Sequence, residues 1–143
     1  MKIAVSSCLL GIKCKYNGES NFNIKIDKLR EKHTIVPICP EVLGGLSTPR
    51  VPSEIIGSKV INQNGVDVTL NYINGAKKAL DILKENNIDV VILKSKSPSC
   101  GKDYIYDGSF THTLVNGDGI TTRLFKKNGI KIYSENDFED IFK

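Results

Sequence analysis

Lys2-Ile-Ala-Val-Ser6, Thr34-Ile-Val-Pro-Ile38 and Val90-Val-Ile-Leu93 are short apolar runs, and each reads as a buried β-strand. Each leads into a loop that carries a cysteine: Cys8, Cys39 and Cys100. Helical periodicity falls between the runs, so the alternation predicts an α/β fold with a mostly parallel sheet. In such a sheet the C-terminal strand ends share one edge, and ligand sites gather there. Three thiols far apart in sequence then meet at one place, which points to a metal or a cluster.

The bulk numbers are those of one ordinary domain, residues 1–143. The chain is 40% hydrophobic and 25% charged, which suits a globular protein with its own core. No run reaches the ~18–20 apolar residues of a membrane span. The N-terminus reads as a strand rather than a signal peptide, so the expected compartment is the cytoplasm, where cysteines more often serve metals or catalysis than disulfides. The net charge of +4, from 20 Lys and Arg against 16 Asp and Glu, tolerates an anionic ligand. No tight basic cluster marks a nucleic-acid binder.

Around the three strands, a helix is expected at 24–32, and a long irregular stretch from Cys39 to about Val60 is studded with Pro and Gly. Loops of that length inside a small domain are usually functional. Residues 54–62 suggest a further strand, with Asn64-Gly65 as a turn. Thr69 is placed to cap a helix over 70–86 whose stripe is Leu70, Ile73, Ala76, Lys77, Leu80 and Leu83. Strand 90–93, apolar throughout, is expected at the sheet centre. Extended pieces at 104–106 and 109–114 flank Asp107-Gly108. A helix at 119–128 ends at Gly129, a last strand covers 130–133, and Ser134 is placed to cap a terminal helix, 135–142.

Thiolates select zinc, copper(I) or iron–sulfur clusters. Cys8, Cys39 and Cys100 do not form a paired C-x-x-C zinc arrangement, yet the pattern alone does not separate zinc from iron–sulfur. Free cysteine is also a common small core residue; three of them in strand-end loops favour a shared site. With three thiolates on a cubane cluster, one iron stays open to substrate. Cys14 is either a fourth ligand, which would close the site, or a buried small residue, and burial is favoured. Glu41, two residues past Cys39, would be held beside such a site, where a carboxylate can exchange protons. Ser97 and Ser99 precede Cys100, and either hydroxyl can hold a substrate or cap a turn. His33 and His112 lack ligand neighbours in sequence, and Gly117-Asp118-Gly119 reads as a tight turn.

Ser7-Cys8-Leu9-Leu10-Gly11 with Tyr16 and Gly18, Cys39-Pro40-Glu41-Val42 with Gly44-Gly45 and Thr48-Pro49-Arg50, and Lys94 with Ser97-Pro98-Ser99-Cys100-Gly101 and Tyr106-Asp107-Gly108 together resemble the thiouracil desulfidase (TudS-like) family. The resemblance runs in order along nearly the whole chain. It implies a Rossmann-like domain with an oxygen-sensitive [4Fe-4S] cluster on the positions of Cys8, Cys39 and Cys100, with Glu41 as acid/base and Ser97 placed against the substrate. It also implies that a thiolated base such as 2-thiouracil or 4-thiouracil loses its sulfur to give uracil and sulfide without net redox. The rival readings are a zinc–thiolate hydrolase on the same cysteines and a non-catalytic iron–sulfur sensor.

Overall fold

The computed structural model describes all 143 residues. Strands β1 (Lys2–Ser6), β2 (Thr34–Ile38), β5 (Val90–Leu93) and β8 (Lys131–Ser134) form one sheet in the order β2-β1-β5-β8, and every pairing in it is parallel. The chain leaves β1 towards β2 and returns past β1 to β5. The direction of winding therefore reverses between β1 and β5, where sheets of this kind bind ligands at their C-terminal edge.

Both faces of the sheet are covered, which explains why β5 is apolar without alternation. On one face Ala4, Val91, Leu93 and Ile132 pack on Ala79, Leu80 and Leu83 of α3 (Thr69–Glu85) and on Phe125 of α4 (Ile120–Lys127). On the other, Ile3, Val5, Val90 and Ile92 pack on Leu9, Leu10, Phe138 and Ile26 of α1 (Ile24–Asp27). Pro37 lies inside β2, which pairs only with β1; an edge strand tolerates the missing N–H.

Several local expectations are corrected. The helix foreseen at 24–32 is α1 followed by a 3₁₀ turn at Lys28–Glu31. The irregular stretch after Cys39 holds a one-turn helix, α2 (Pro40–Leu43), and an antiparallel hairpin, β3 (Ser53–Ile56) with β4 (Lys59–Asn62), in place of one strand. Thr69 does not cap α3: it is the first helical residue, and Asp67 accepts its N–H at 2.9 Å. The buried stripe of α3 is Tyr72, Gly75, Ala76, Ala79, Leu80 and Leu83, while Leu70 is 72% exposed. Leu70 stands in the first turn, ahead of the part of α3 that lies on the sheet. The second extended piece is β7 (Leu114–Asn116), paired with β6 (Tyr104–Tyr106), so His112 lies in a loop. Ser134 ends β8, and the C-terminal segment forms only a 3₁₀ turn, Phe138–Phe142.

Helix α2 is seated by direct backbone contact with α3. A Cβ on Gly75 would overlap the Pro40 carbonyl, and one on Gly44 would overlap the Asn71 carbonyl. The Asn71 side chain also donates to the Gly44 carbonyl at 2.9 Å. Gly75→Ala must therefore push α2 away from α3. A stability loss of about 1–3 kcal/mol is expected from such overpacking, read as a lower Tm.

Candidate active site

The three strand-end loops are held by different devices. After β1 the chain turns through a 3₁₀ segment, Ser7–Leu10, closed by Gly11 at φ +91°, and the Cys8 carbonyl accepts the Asn21 N–H at 2.9 Å. Ser6 Oγ at the end of β1 accepts the Lys94 N–H at 2.9 Å, joining the ends of β1 and β5. Cys39 stands at the N-cap of α2 in extended conformation, with Pro40 at the first helical position. Proline there has no N–H to leave unpaired. Cys100 is clamped by the start of α4. The N–H groups of Ile120 and Thr121 donate to the Pro98 and Ser99 carbonyls at 2.8 and 2.9 Å, and Thr122 Oγ1 donates to the Cys100 carbonyl at 3.0 Å.

These loops bring Cys8, Cys39 and Cys100 onto one cavity of about 540 Å³, together with Glu41 and Ser97. All four cysteines are free thiols. Cys14 is buried, as expected, but it lines the same cavity and its thiol is hydrogen-bonded to Cys39. That bond, with the Val42 N–H assisting against burial, lowers the Cys39 thiol to about 7. Burial pushes the Cys8 thiol up, Asn21 opposing it; burial also raises Cys100, and Glu41 adds to the shift. Ser99 is 0% exposed and its hydroxyl meets Thr121 at 2.8 Å, so of the two serines only Ser97 faces the cavity. His33 stacks on Phe142, away from the cavity lining. In the irregular Gly117–Gly119 segment Asp118 pairs with Lys126 at 2.8 Å.

Arg50, like Lys94, has no role in the sequence reading. Its Nη2 and Nε donate to Glu41 Oε2 at 2.7 and 3.2 Å. The rest of the guanidinium donates to the carbonyls of Ser47 and Cys14 and to Thr48 Oγ1. Glu41 Oε1 accepts the Ser97 hydroxyl at 3.3 Å. Ser97 Oγ in turn accepts the N–H groups of Ser99 and Cys100, both at 3.0 Å. Its lone pairs are engaged, and its hydrogen points to Glu41. Lys94, also on the cavity, pairs with Glu135 at 2.7 Å. No motif spacing announces the Arg50–Glu41 pair; its only trace in the sequence is an arginine closing a loop rich in Gly and Pro.

A family model described as 2-thiouracil desulfurase matches residues 3–137. The chain belongs to the 2-thiouracil desulfurase family. It is similar over 97% of its length to a solved structure described as the [4Fe-4S]-dependent thiouracil desulfidase TudS, at 40% identity, a TM-score of 0.92 and 93% coverage of that chain. It is also 46% identical over 149 residues to the uncharacterized protein YbbK of Bacillus subtilis (strain 168), covering 97% of this chain and 99% of that protein. The Rossmann-like architecture expected for a desulfurase of this family is the one observed. No helix is long and apolar enough to cross a membrane.

Two outcomes follow for cluster-free protein. Arg50→Ala strands the Glu41 carboxylate, whose side chain is 17% exposed, without its 9%-exposed partner. Loss of one member of such a pair costs about 3–5 kcal/mol, to be read in urea denaturation, and Arg50→Lys recovers little because one ammonium cannot replace the fork. In limited alkylation at pH 7.5, Cys39 should react first and the buried Cys14 and Cys100 most slowly, with peptide mapping as the readout.

Proposed function

We propose that this chain is a [4Fe-4S]-dependent desulfidase that replaces the sulfur of a thiolated pyrimidine base by oxygen, converting 2-thiouracil or 4-thiouracil to uracil and sulfide. In this reading Cys8, Cys39 and Cys100 hold the cluster, Glu41 is the acid/base and Ser97 positions the reactants. The observation that carries it is the meeting of three strand-end thiols with a linked Arg50–Glu41–Ser97 set on one cavity.

The donor set fits the group. Three thiols from separate loops line the cavity, the Cys39 thiol is lowered from its ordinary value, and Arg50 and Lys94 supply positive charge beside them. The likeness, at 40% identity, to a structure described as a [4Fe-4S]-dependent desulfidase supports a cluster rather than a single zinc ion on these thiols. Bound there, a cluster would supply a sulfur-seeking, Lewis-acidic iron.

The protein's own part is acid–base work at fixed positions. Arg50 immobilises Glu41 through Oε2 and leaves Oε1 for exchange with Ser97, water or substrate. Oε1 takes a proton from water as the water oxygen bonds to the ring carbon. The proton returns to the sulfur as the C–S bond breaks, and the new hydroxyl gives up its remaining proton to the departing hydrosulfide as C=O forms, so C=S and water become C=O and hydrogen sulfide with no electrons gained or lost. Ser97, held by two backbone N–H groups, orients the attacking water or the base beside Glu41. A cluster-bearing sensor would have no use for this set. Four free thiols suit the reducing cytoplasm, and the cavity suits a small thiolated base better than a nucleic-acid strand. Residues 1–143 act in this reading as one catalytic domain.

Anaerobically reconstituted protein should be brown, contain iron and sulfide, and release sulfide from 2-thiouracil or 4-thiouracil. A colourless zinc protein, or a full cluster without turnover, would sink the proposal. Glu41→Ala should keep its iron and visible spectrum and lose turnover by about 10²–10⁴-fold, the usual scale of general acid–base catalysis. Cys8→Ser should lose iron, whereas Cys14→Ser should keep it; loss of colour in the latter would move the ligand assignment.

A further inference from the structure

Glu54, on β3, is the only charged residue among the buried ones, at 6% exposure. It lines the cavity, has no cationic partner, and takes no part in the chemistry above. One of its carboxylate oxygens, Oε1, accepts the N–H groups of Gly108 and Phe110 at 2.9 and 3.2 Å. These bonds tie the β3–β4 hairpin to the 107–113 loop. The loop lies flat on the hairpin: Gly108 has φ +94°, and a Cβ there would stand 2.7 Å from Ile56 Cγ1.

Within the loop the residues divide by face. The hydroxyls of Ser109, Thr111 and Thr113 are linked in a row at 2.6 and 2.8 Å. Tyr106, Phe110 and His112 line the cavity, with the Tyr106 and His112 rings edge to face at 5.5 Å. Phe110 and His112 both have φ +58°. Residues with side chains keep that conformation only where their surroundings hold it, and here the Glu54 carboxylate is the anchor. Phe110 is half-buried, so part of it stays open to an occupant of the cavity.

We propose that Glu54 is a positioning residue: through Gly108 and Phe110 it holds Tyr106, Phe110 and His112 as an aromatic wall on which the planar ring of the thiolated base lies. The inference rests on the desulfidase reading for the identity of that ring. The thiols, Glu41 and Ser97 address the C=S group and its water; none of them offers a flat apolar surface. An aromatic side chain does, because any pyrimidine presents a π-face to stack on. Glu54 serves as an acceptor for two backbone N–H groups, a task that the amide oxygen of glutamine can also perform.

The test is steady-state kinetics of the anaerobic holoenzyme with 4-thiouracil, for wild type, Phe110→Ala, Glu54→Ala and Glu54→Gln, alongside iron content, visible spectrum and Tm. Phe110→Ala should raise KM about tenfold or more, the scale of one lost base–aromatic stack, with kcat little changed. Glu54→Ala should show the same KM rise with full iron content, and Glu54→Gln should return KM towards wild type. An unchanged KM in Phe110→Ala or Glu54→Ala, a fall in kcat at constant KM, or no rescue by glutamine overturns the assignment. Should Glu54→Ala fail to fold, Phe110→Ala against Phe110→Tyr decides, the tyrosine keeping the wild-type KM. If wild-type holoenzyme does not turn over 4-thiouracil, the desulfidase reading falls by itself. Equilibrium dialysis of 4-thiouracil then tests the wall alone: about tenfold weaker retention by Phe110→Ala supports it, and equal retention overturns it.

Discussion

Helices α2 and α3 touch backbone to backbone, with Gly44 against the Asn71 carbonyl and Gly75 against the Pro40 carbonyl. Everything the site needs from the second strand-end loop depends on that contact. Cys39 caps α2 and Glu41 stands in its first turn, so the distance between the helices sets how far both side chains reach over the sheet edge. A four-residue helix has little stability of its own; here tertiary contact supplies it. Helix α3 in turn is fixed to the sheet by Ala79, Leu80 and Leu83, so the site is referenced to the core through one rigid element.

Charge is handled by the same economy of elements. Glu41 lies in a pocket that also holds four thiols, where an unpaired carboxylate would be costly. Arg50 answers that cost with two N–H bonds to one carboxylate oxygen, and its remaining donors reach the Cys14 carbonyl and the Ser47–Thr48 turn. One guanidinium thus ties together the loop after β1, helix α2 and the stretch leading to β3. Lys94 plays a comparable part across the sheet edge, joining Glu135 after β8 to the end of β5. Both cations stand on the cavity where the thiols and the Glu41 carboxylate converge, and positive charge there favours the ionised form of its neighbours.

Much of the architecture was legible along the chain because its signals are local. Apolar runs at 2–6, 34–38 and 90–93 became parallel strands, and the placing of Cys8, Cys39 and Cys100 just past them brought three thiols to one edge. Other elements misled for local reasons too. Thr69 has the chemistry of a cap, but its hydroxyl donates to Asp67 and accepts the Val60 N–H instead. Leu70 fits the helical period, yet it stands in the first turn, ahead of the part of α3 that lies on the sheet, and stays in solvent. The hairpin at 53–62 and the one-turn α2 are too short to carry a period of their own.

The sequence by itself determined the α/β alternation, the strand-end position of the thiols, and the companionship of Glu41 with Cys39 and of Ser97 with Cys100, because these follow from neighbours a few residues apart. Only the tertiary structure decided that Arg50 meets Glu41, that Cys14 reaches Cys39, and that Glu54 anchors the loop bearing Phe110. Those partners lie 9, 25 and 56 residues apart, and each pairing depends on how separate elements stack on the sheet. Side-chain chemistry names the groups able to pair; which pairs form is set by the packing that carries their backbones to the same place.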